Sequence, residues 1–114
     1  TWDDVIMEAC EYMHKNKAVT LRVFRSIGFE KMNDIIFETC RECIPEFMKK
    51  TAQGLSVKEE DMNLLLDYSS ATVSGVVTRW LREGMKTVSQ EMIERFKKIV
   101  SGTMRLSLEN AAKL

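Results

Sequence analysis

Two cysteines three residues apart are the pair in this 114-residue chain whose types and spacing could perform chemistry. Cys40 and Cys43 form a C-x-x-C motif, which occurs in zinc sites and in redox proteins. A zinc site needs four ligands, and only Cys10 and His14 could supply the other two, from another helix. A redox motif sits at a helix start, whereas this pair is predicted to lie in mid-helix. We therefore predict two small buried apolar residues and no metal site, with a thiol or metal sensor as the alternative.

His14 is the only histidine, and it falls at the end of a predicted helix. The negative end of the helix dipole favours a positive charge there, so a structural role is the simpler interpretation. The sequence has no Ser-His-Asp arrangement, no Glu-x-x-His pair and no glycine-rich phosphate loop. We therefore predict a non-enzymatic domain, with no catalytic residues and no cofactor.

The charge balance and the cysteine count argue against several classes of protein. The chain carries 17 basic and 17 acidic residues, a net charge of zero, whereas nucleic-acid binders usually have a basic surplus. Three cysteines are an odd number, which argues against a secreted disulfide framework. No apolar run has the length of about 20 residues that a membrane span needs, and no leader-like segment opens the chain. We expect a cytoplasmic protein that does not itself grip DNA and does not enter a membrane.

We predict that helices position Cys40, Cys43 and His14, because one proline and five glycines leave few breaks in the chain. A first helix is predicted from a cap at Thr1 to Asn16, and a second, shorter one ends near Gly28. A third covers about residues 30–50, and Pro45 should kink or break it. Residues 51–55 form a loop. The fold class is therefore all-α, a bundle of about five helices in a single domain over residues 1–114.

The fourth helix is the most informative element. Ser56 and Glu59 form a possible capping box, and Gly84 marks the end of a helix over residues 56–83. A last helix starts near Ser89, weakens at Ser101 and Gly102, and leaves a tail at 103–114 that continues or frays.

The fourth helix is apolar on two opposite faces. One face is formed by Met62, Leu65, Leu66, Val73, Val76, Val77 and Trp80. The other is formed by Leu64, Tyr68, Ala71 and Gly75, with Thr78 beside them. A surface helix needs one apolar stripe, so two stripes predict a helix covered on both sides, by its own chain or by a second one.

The segment SGVVTRWLREGMKTVSQEM at residues 74–92 resembles the C-terminal domain of TetR-type transcriptional regulators. The matching pattern is G-hydrophobic-hydrophobic-x-x-W-L-x-x-G-M, at Gly75, Val76, Val77, Trp80, Leu81, Gly84 and Met85. The opening TWDDVIMEACEYMHKNKAVTLRVF, residues 1–24, is similar to the start of that domain. Two features depart from the pattern: residues 88–91 read VSQE where the family tends to have SPEE, and Pro45 is unusual.

The resemblance implies a helical bundle that encloses a small-molecule effector, and a homodimer formed by the last two long helices. It also implies a DNA-binding helix-turn-helix that lies before Thr1, outside this chain. On this basis the dimer seam is predicted at Ala71, Gly75, Thr78, Ile93, Lys97, Val100 and Met104. Since small residues four apart let a partner backbone approach, Ala71 and Gly75 should lie at its centre.

Flexible and aromatic side chains suit a pocket for a mostly apolar effector, whose identity the sequence does not fix. The candidate pocket residues are Met7, Phe24, Phe37, Met48, Met62 and Tyr68. Tyr68 could orient the ligand through its hydroxyl. The alternative function is a helical interaction module that dimerises or docks a partner helix without a small ligand.

Overall fold

The computed structural model describes residues 8, 11–86 and 90–114, and this part of the chain is helical with no strand. Five helices follow one another: α1 (Lys17–Ile27), α2 (Phe29–Thr51), α3 (Glu59–Arg82), α4 (Gln90–Val100) and α5 (Thr103–Ala112). Residues 8 and 11–15 are helical as well, and a turn at Asn16 separates them from α1. The predicted all-α class is confirmed. The predicted cap at Thr1 lies outside the described residues, as do Met7 and Cys10.

The α2 helix is continuous through Pro45, so the predicted break there is wrong. A proline removes one backbone hydrogen bond, here the bond from residue 45 to the carbonyl of Arg41. Ile44 and Met48 are buried on either side of it. Their burial stabilises the turn by more than one lost hydrogen bond costs.

The α3 helix begins at Glu59, with Lys58 as its N-cap residue and no side-chain capping bond. The predicted capping box from Ser56 to Glu59 is therefore wrong. The three residues before the helix are not helical, and Val57 packs against buried side chains. Three acidic residues in the first turn, Glu59 to Asp61, stabilise this end through the helix dipole instead.

At the other end of α3, Gly84 ends the helix as predicted. Its φ is +84°, and its N–H donates to the carbonyl of Leu81, while the N–H of Met85 donates to the carbonyl of Trp80. These two bonds make a Schellman motif, which places the second residue after the helix against the core. Met85 is fully buried there, and the indole N–H of Trp80 donates to the carbonyl of Lys86. The W-L-x-x-G-M pattern thus ends α3 at its glycine and places its methionine, Met85, in the core.

The C-terminal part contains a break between two helices, at the residues where the sequence predicted only a weaker helix. The α4 helix ends at Val100, Gly102 takes a left-handed conformation with φ +76°, and α5 follows at Thr103. The tail does not fray, because Met104 and Leu108 are buried. The Arg105 guanidinium also donates to the carbonyls of Thr51 and Gln53, at the end of α2. The predicted caps of the last helix, Thr87 and Ser89, lie outside the described residues.

The antiparallel pair of α2 and α3 is the centre of the fold. Its register is set by the close approach of the Thr78 hydroxyl to Asn33 Oδ1 and by an ion pair between Arg41 and Asp67. Two groups of buried side chains lie along it. The first core contains Met32, Val73, Val77, Leu81 and Met85, and the second core contains Ile44, Met48, Leu66, Met104 and Leu108. Cys40 packs against both cores.

The molecule is flat, with extents of 46 × 31 × 17 Å. Its radius of gyration is 15.3 Å, against about 13 Å for a compact domain of this length. Packed helix axes lie about 8–10 Å apart, so a thickness of 17 Å holds about two layers of helices. A slab this thin leaves large helix faces at its surface. Among the described helices, none is long and apolar enough to cross a membrane.

Candidate dimerisation face and effector site

The buried face of α3 is more polar than the sequence predicted. Half of its buried positions carry aliphatic side chains and half carry hydroxyl side chains: Leu66, Ser69, Ser70, Val73, Ser74, Val77, Thr78 and Leu81. Thr78 donates to the carbonyl of Ser74 and lies 3.0 Å from Asn33 Oδ1. Ser74 donates to the carbonyl of Ala71, whereas the hydroxyl of Ser70 is buried without a hydrogen-bond partner.

The opposite face of α3 is apolar and uncovered in the single chain. Leu64 and Tyr68 are each 69% exposed, and Ala71 and Gly75 continue the same stripe, also exposed. Leu64 and Gly75 are 11 positions apart, which corresponds to about 16 Å along the helix axis. We call these four residues the α3 stripe. A stripe of this length is unusual on a helix face that meets only water.

Two residues of α3 lie on the other side from the one predicted. Val76, assigned to the core face, is 60% exposed. Thr78, placed beside the opposite face, has no exposed surface, because α2 covers it through Asn33. Both residues stand at the edges of the two arcs, where a small rotation of the helix decides the side. Thr78 therefore offers no surface of its own to a partner.

The α4 helix exposes a second apolar stripe, formed by Met92, Phe96 and Ile99, the last of which is 75% exposed. We call it the α4 stripe. The predicted seam residues Ile93, Lys97 and Val100 lie next to it and are half-buried, and Met104 is buried in the second core. Met92, Phe96 and Ile99 were not among the predicted seam residues. Only the spacing of residues 92, 96 and 99 hinted at an outer edge.

The predicted pocket residues do not converge on one place. Met48 lies in the second core, Met62 packs against it, and Phe24 packs against the first core. Phe37 is half-buried on α2, and Met7 lies outside the described residues. Tyr68 is on the exposed face of α3, away from both cores.

Tyr68 does line an open groove of about 390 Å³ between α3 and α5. The other residues around this groove are Asp61, Leu64, Leu65, Ser107, Asn110, Ala111 and Leu114. Its walls are mainly apolar, with one carboxylate and several neutral polar groups. The residues from α5 were missed at the sequence level, since the tail carried no helical prediction strong enough to place them.

The C-x-x-C pair is only partly as predicted. Cys40 is half-buried, but Cys43 is exposed, so the prediction of two buried apolar residues is wrong for Cys43. Burial raises the pKa of the Cys40 thiol, and the nearby Cys43 raises it further. Among the described residues, no group of three or more histidine, cysteine or acidic side chains is placed to hold a metal ion.

A comparison of the chain with models of protein families gives a match. A family model described as the C-terminal region of a transcriptional regulator, of the TetR type, matches residues 1–102. No curated protein and no solved structure matches the chain. The match includes the helix stop at Gly84 and ends where α5 begins. Since it covers most of the chain, this protein belongs to the TetR family of transcriptional regulators, as a C-terminal regulatory domain.

Proposed function

We propose that this domain forms a homodimer through the α3 and α4 stripes and carries a small-molecule signal to a DNA-binding helix-turn-helix outside this chain. The observation that carries the dimer is the α3 stripe, which leaves Leu64 and Tyr68 mostly exposed on a helix whose other face is buried. The flat shape of the chain supports the homodimer, because a second copy would cover helix faces that the single chain leaves exposed.

The composition of the α3 stripe favours close helix packing. Leu64 and Tyr68 supply apolar area, while Ala71 and Gly75 have almost no side chain to hold two helices apart. In a two-fold dimer the same patch meets itself, so every small residue acts twice. Phe96 and Ile99 add area from α4. Charged groups are absent from these six positions, as expected for the centre of an obligate interface.

The proposed effector is a mostly apolar small molecule that binds inside the helical bundle, although its candidate contacts do not meet at one place in the structure. Phe24, Phe37, Met48 and Met62 are the candidate contacts, and two of them are methionines, which adapt to varied apolar shapes. Binding would favour one arrangement of the helices by its difference in affinity for the two arrangements. The dimer would convert that difference into a new spacing of the two DNA-binding domains. This role is regulatory, non-catalytic and cytoplasmic.

Sedimentation equilibrium tests the dimer. Replacing Ala71 with glutamate puts two unpaired carboxylates into the seam, which should weaken association by about 100-fold or more. The matched control is Ala18→Glu, the same change at an exposed position of α1. We expect wild type and Ala18→Glu to be dimers, and Ala71→Glu to be a monomer with unchanged helix content. A monomeric wild type, or a dimeric Ala71→Glu, would contradict the proposal.

Native mass spectrometry tests the effector. We expect the purified protein to retain a small molecule, so its native mass per chain should exceed its denatured mass. Met48→Ala, which opens the second core, should change the amount retained without dissociating the dimer. A dimer whose mass is bare in every preparation would instead favour a helical module that dimerises without a ligand.

A further inference from the structure

Cys40 and Cys43 are placed as a pair of neighbouring thiols with different surroundings. They stand at positions i and i+3 of α2, where Cβ atoms are about 5–6 Å apart. Cys43 is exposed, whereas Cys40 is half-buried and packs against both cores. One thiol is therefore open to reagents, and the other is part of the structure that joins the two cores.

The turn of α2 that contains Cys43 lacks one backbone hydrogen bond of a regular helix. Pro45 has no N–H, so the carbonyl of Arg41 lacks the partner that a continuous helix would give it. Cys43 lies between these two residues. A local change in the backbone consequently breaks fewer hydrogen bonds at this turn than elsewhere in α2.

We propose that Cys40 and Cys43 are a modification site, at which a hydroperoxide converts the two thiols reversibly into a disulfide within α2. In the first step the Cys43 sulfur attacks the peroxide: an S–O bond forms, the O–O bond breaks, and water or an alcohol leaves. The sulfur is oxidised to a sulfenic acid while the peroxide is reduced. In the second step the Cys40 sulfur attacks the Cys43 sulfur, the S–O bond breaks, and water leaves with the Cys40 proton.

The order of the steps follows from exposure. The peroxide reaches Cys43 from solvent, while Cys40 is half-buried and packs against both cores. The thiolate is the reactive form, and burial keeps the pKa of Cys40 above its ordinary value, so Cys40 remains protonated and reacts second.

Forming the disulfide changes the packing. Bonded cysteines have Cβ atoms about 3.5–4.5 Å apart, so the pair must close by about 1–2 Å from helical spacing. Cys40 then moves away from the two cores that it joins, and the turn before Pro45 absorbs the backbone change. The oxidised chain should be less stable than the reduced chain.

Tryptic mapping tests the disulfide directly, because trypsin cleaves after Arg41, between the two cysteines. The whole chain with Cys10→Ser is treated with hydrogen peroxide, denatured and digested without reduction. We expect MNDIIFETCR and ECIPEFMK to run as one species that has lost two hydrogen atoms, and to separate after reduction. The undigested protein should stay a single chain on a non-reducing gel. Both of its remaining thiols should disappear, and dithiothreitol should restore them.

Two variants and one stability measurement complete the test. In the same background, Cys40→Ser and Cys43→Ser should form no internal disulfide, and only Cys40→Ser should accumulate a sulfenic acid that a dimedone probe traps. Thermal unfolding should give a lower Tm for the oxidised Cys10→Ser protein, reversed by dithiothreitol. Disulfides only between chains, direct oxidation of Cys43 to sulfinic acid, or an unchanged Tm would overturn the proposal. The test requires neither a dimer nor an effector, so it stands apart from the proposed function.

Discussion

Replacing glycine with alanine should have opposite effects on stability at Gly75, inside α3, and at Gly84, just after its end. Gly75 lies in the middle of the helix, and a Cβ built there meets no atom within 4 Å. Alanine should therefore stabilise the chain by about 0.5–1 kcal/mol, because it restricts the unfolded state and favours helix.

Gly84 has equally open surroundings, but its backbone differs. Its φ of +84° is the left-handed conformation that ends α3, and a Cβ there also meets nothing within 4 Å. Left-handed backbone costs a residue with a side chain about 1–2 kcal/mol, so alanine should destabilise by that amount. Since neither site has a steric clash, the two variants should differ by about 1.5–3 kcal/mol from backbone conformation alone.

Urea unfolding followed by far-UV circular dichroism measures both effects. The proteins should be compared at several concentrations, because dimerisation makes the apparent free energy of unfolding depend on concentration. The lowest concentration reports the single chain, where Gly75→Ala should have the highest midpoint and Gly84→Ala the lowest. The slope with denaturant should stay constant, as expected when a substitution changes stability only.

The sign of each effect is the critical result. A stabilised Gly84→Ala would mean that the Schellman motif is absent, and a destabilised Gly75→Ala in the single chain would mean that its own residues cover Gly75. Gly75→Ala could be more stable than wild type at low concentration and yet gain less apparent stability than wild type as the protein concentration rises. That result would mean that a partner backbone lies close to Gly75. An equal gain in apparent stability for the two proteins would mean that no partner backbone lies close to Gly75.

Three further predictions concern single side chains. Ser70→Ala should stabilise the protein by about 1 kcal/mol in urea unfolding, since it removes a buried hydroxyl without a partner. Thr78→Val should destabilise it, because it deletes a buried hydroxyl that is hydrogen-bonded. A change in stability of the same sign in both variants would contradict this reasoning. Arg105→Met should lower the unfolding midpoint by removing two donors from the end of α2, while Glu109→Gln, its neighbour in an exposed ion pair, should have little effect. Because the pKa of Cys40 is raised in the folded state, its contribution to stability is present below its ordinary pKa and is lost as pH rises through the raised value. The free energy of unfolding of the wild type should therefore decrease at alkaline pH, and this decrease should be smaller in Cys40→Val. An identical dependence of stability on pH in the two proteins would refute this assignment to Cys40.

Several features of this protein could be predicted from its sequence alone, because each depends on residues close together in the chain. Scarce proline and glycine, with apolar residues at helical spacing, predicted an all-helical chain. Gly84 predicted the end of α3, and Gly102 predicted a weak point in the last helix, since a left-handed turn favours a residue without a side chain. The W-L-x-x-G-M pattern indicated the family, and the family match confirmed it.

Other features depended on which surfaces the tertiary structure covers. The sequence predicted two apolar arcs on α3, but the position of α2 decided that Thr78 is inside and Val76 outside. In α4 the sequence predicted Ile93 but not Phe96 for the dimer seam, whereas the tertiary structure leaves Ile93 half-buried and Phe96 exposed.

Neighbouring helices also decided the outcome at Pro45 and at the cysteines. The helix passes through Pro45 because buried contacts on both sides outweigh a missing hydrogen bond, and a local rule for proline contains no such contacts. Cys40 and Cys43 have the same side chain, and only the edge of the helix pair separates a half-buried thiol that packs against the cores from one in solvent. Helical periodicity fixes the angle between two residues, whereas burial depends on where the next helix lies.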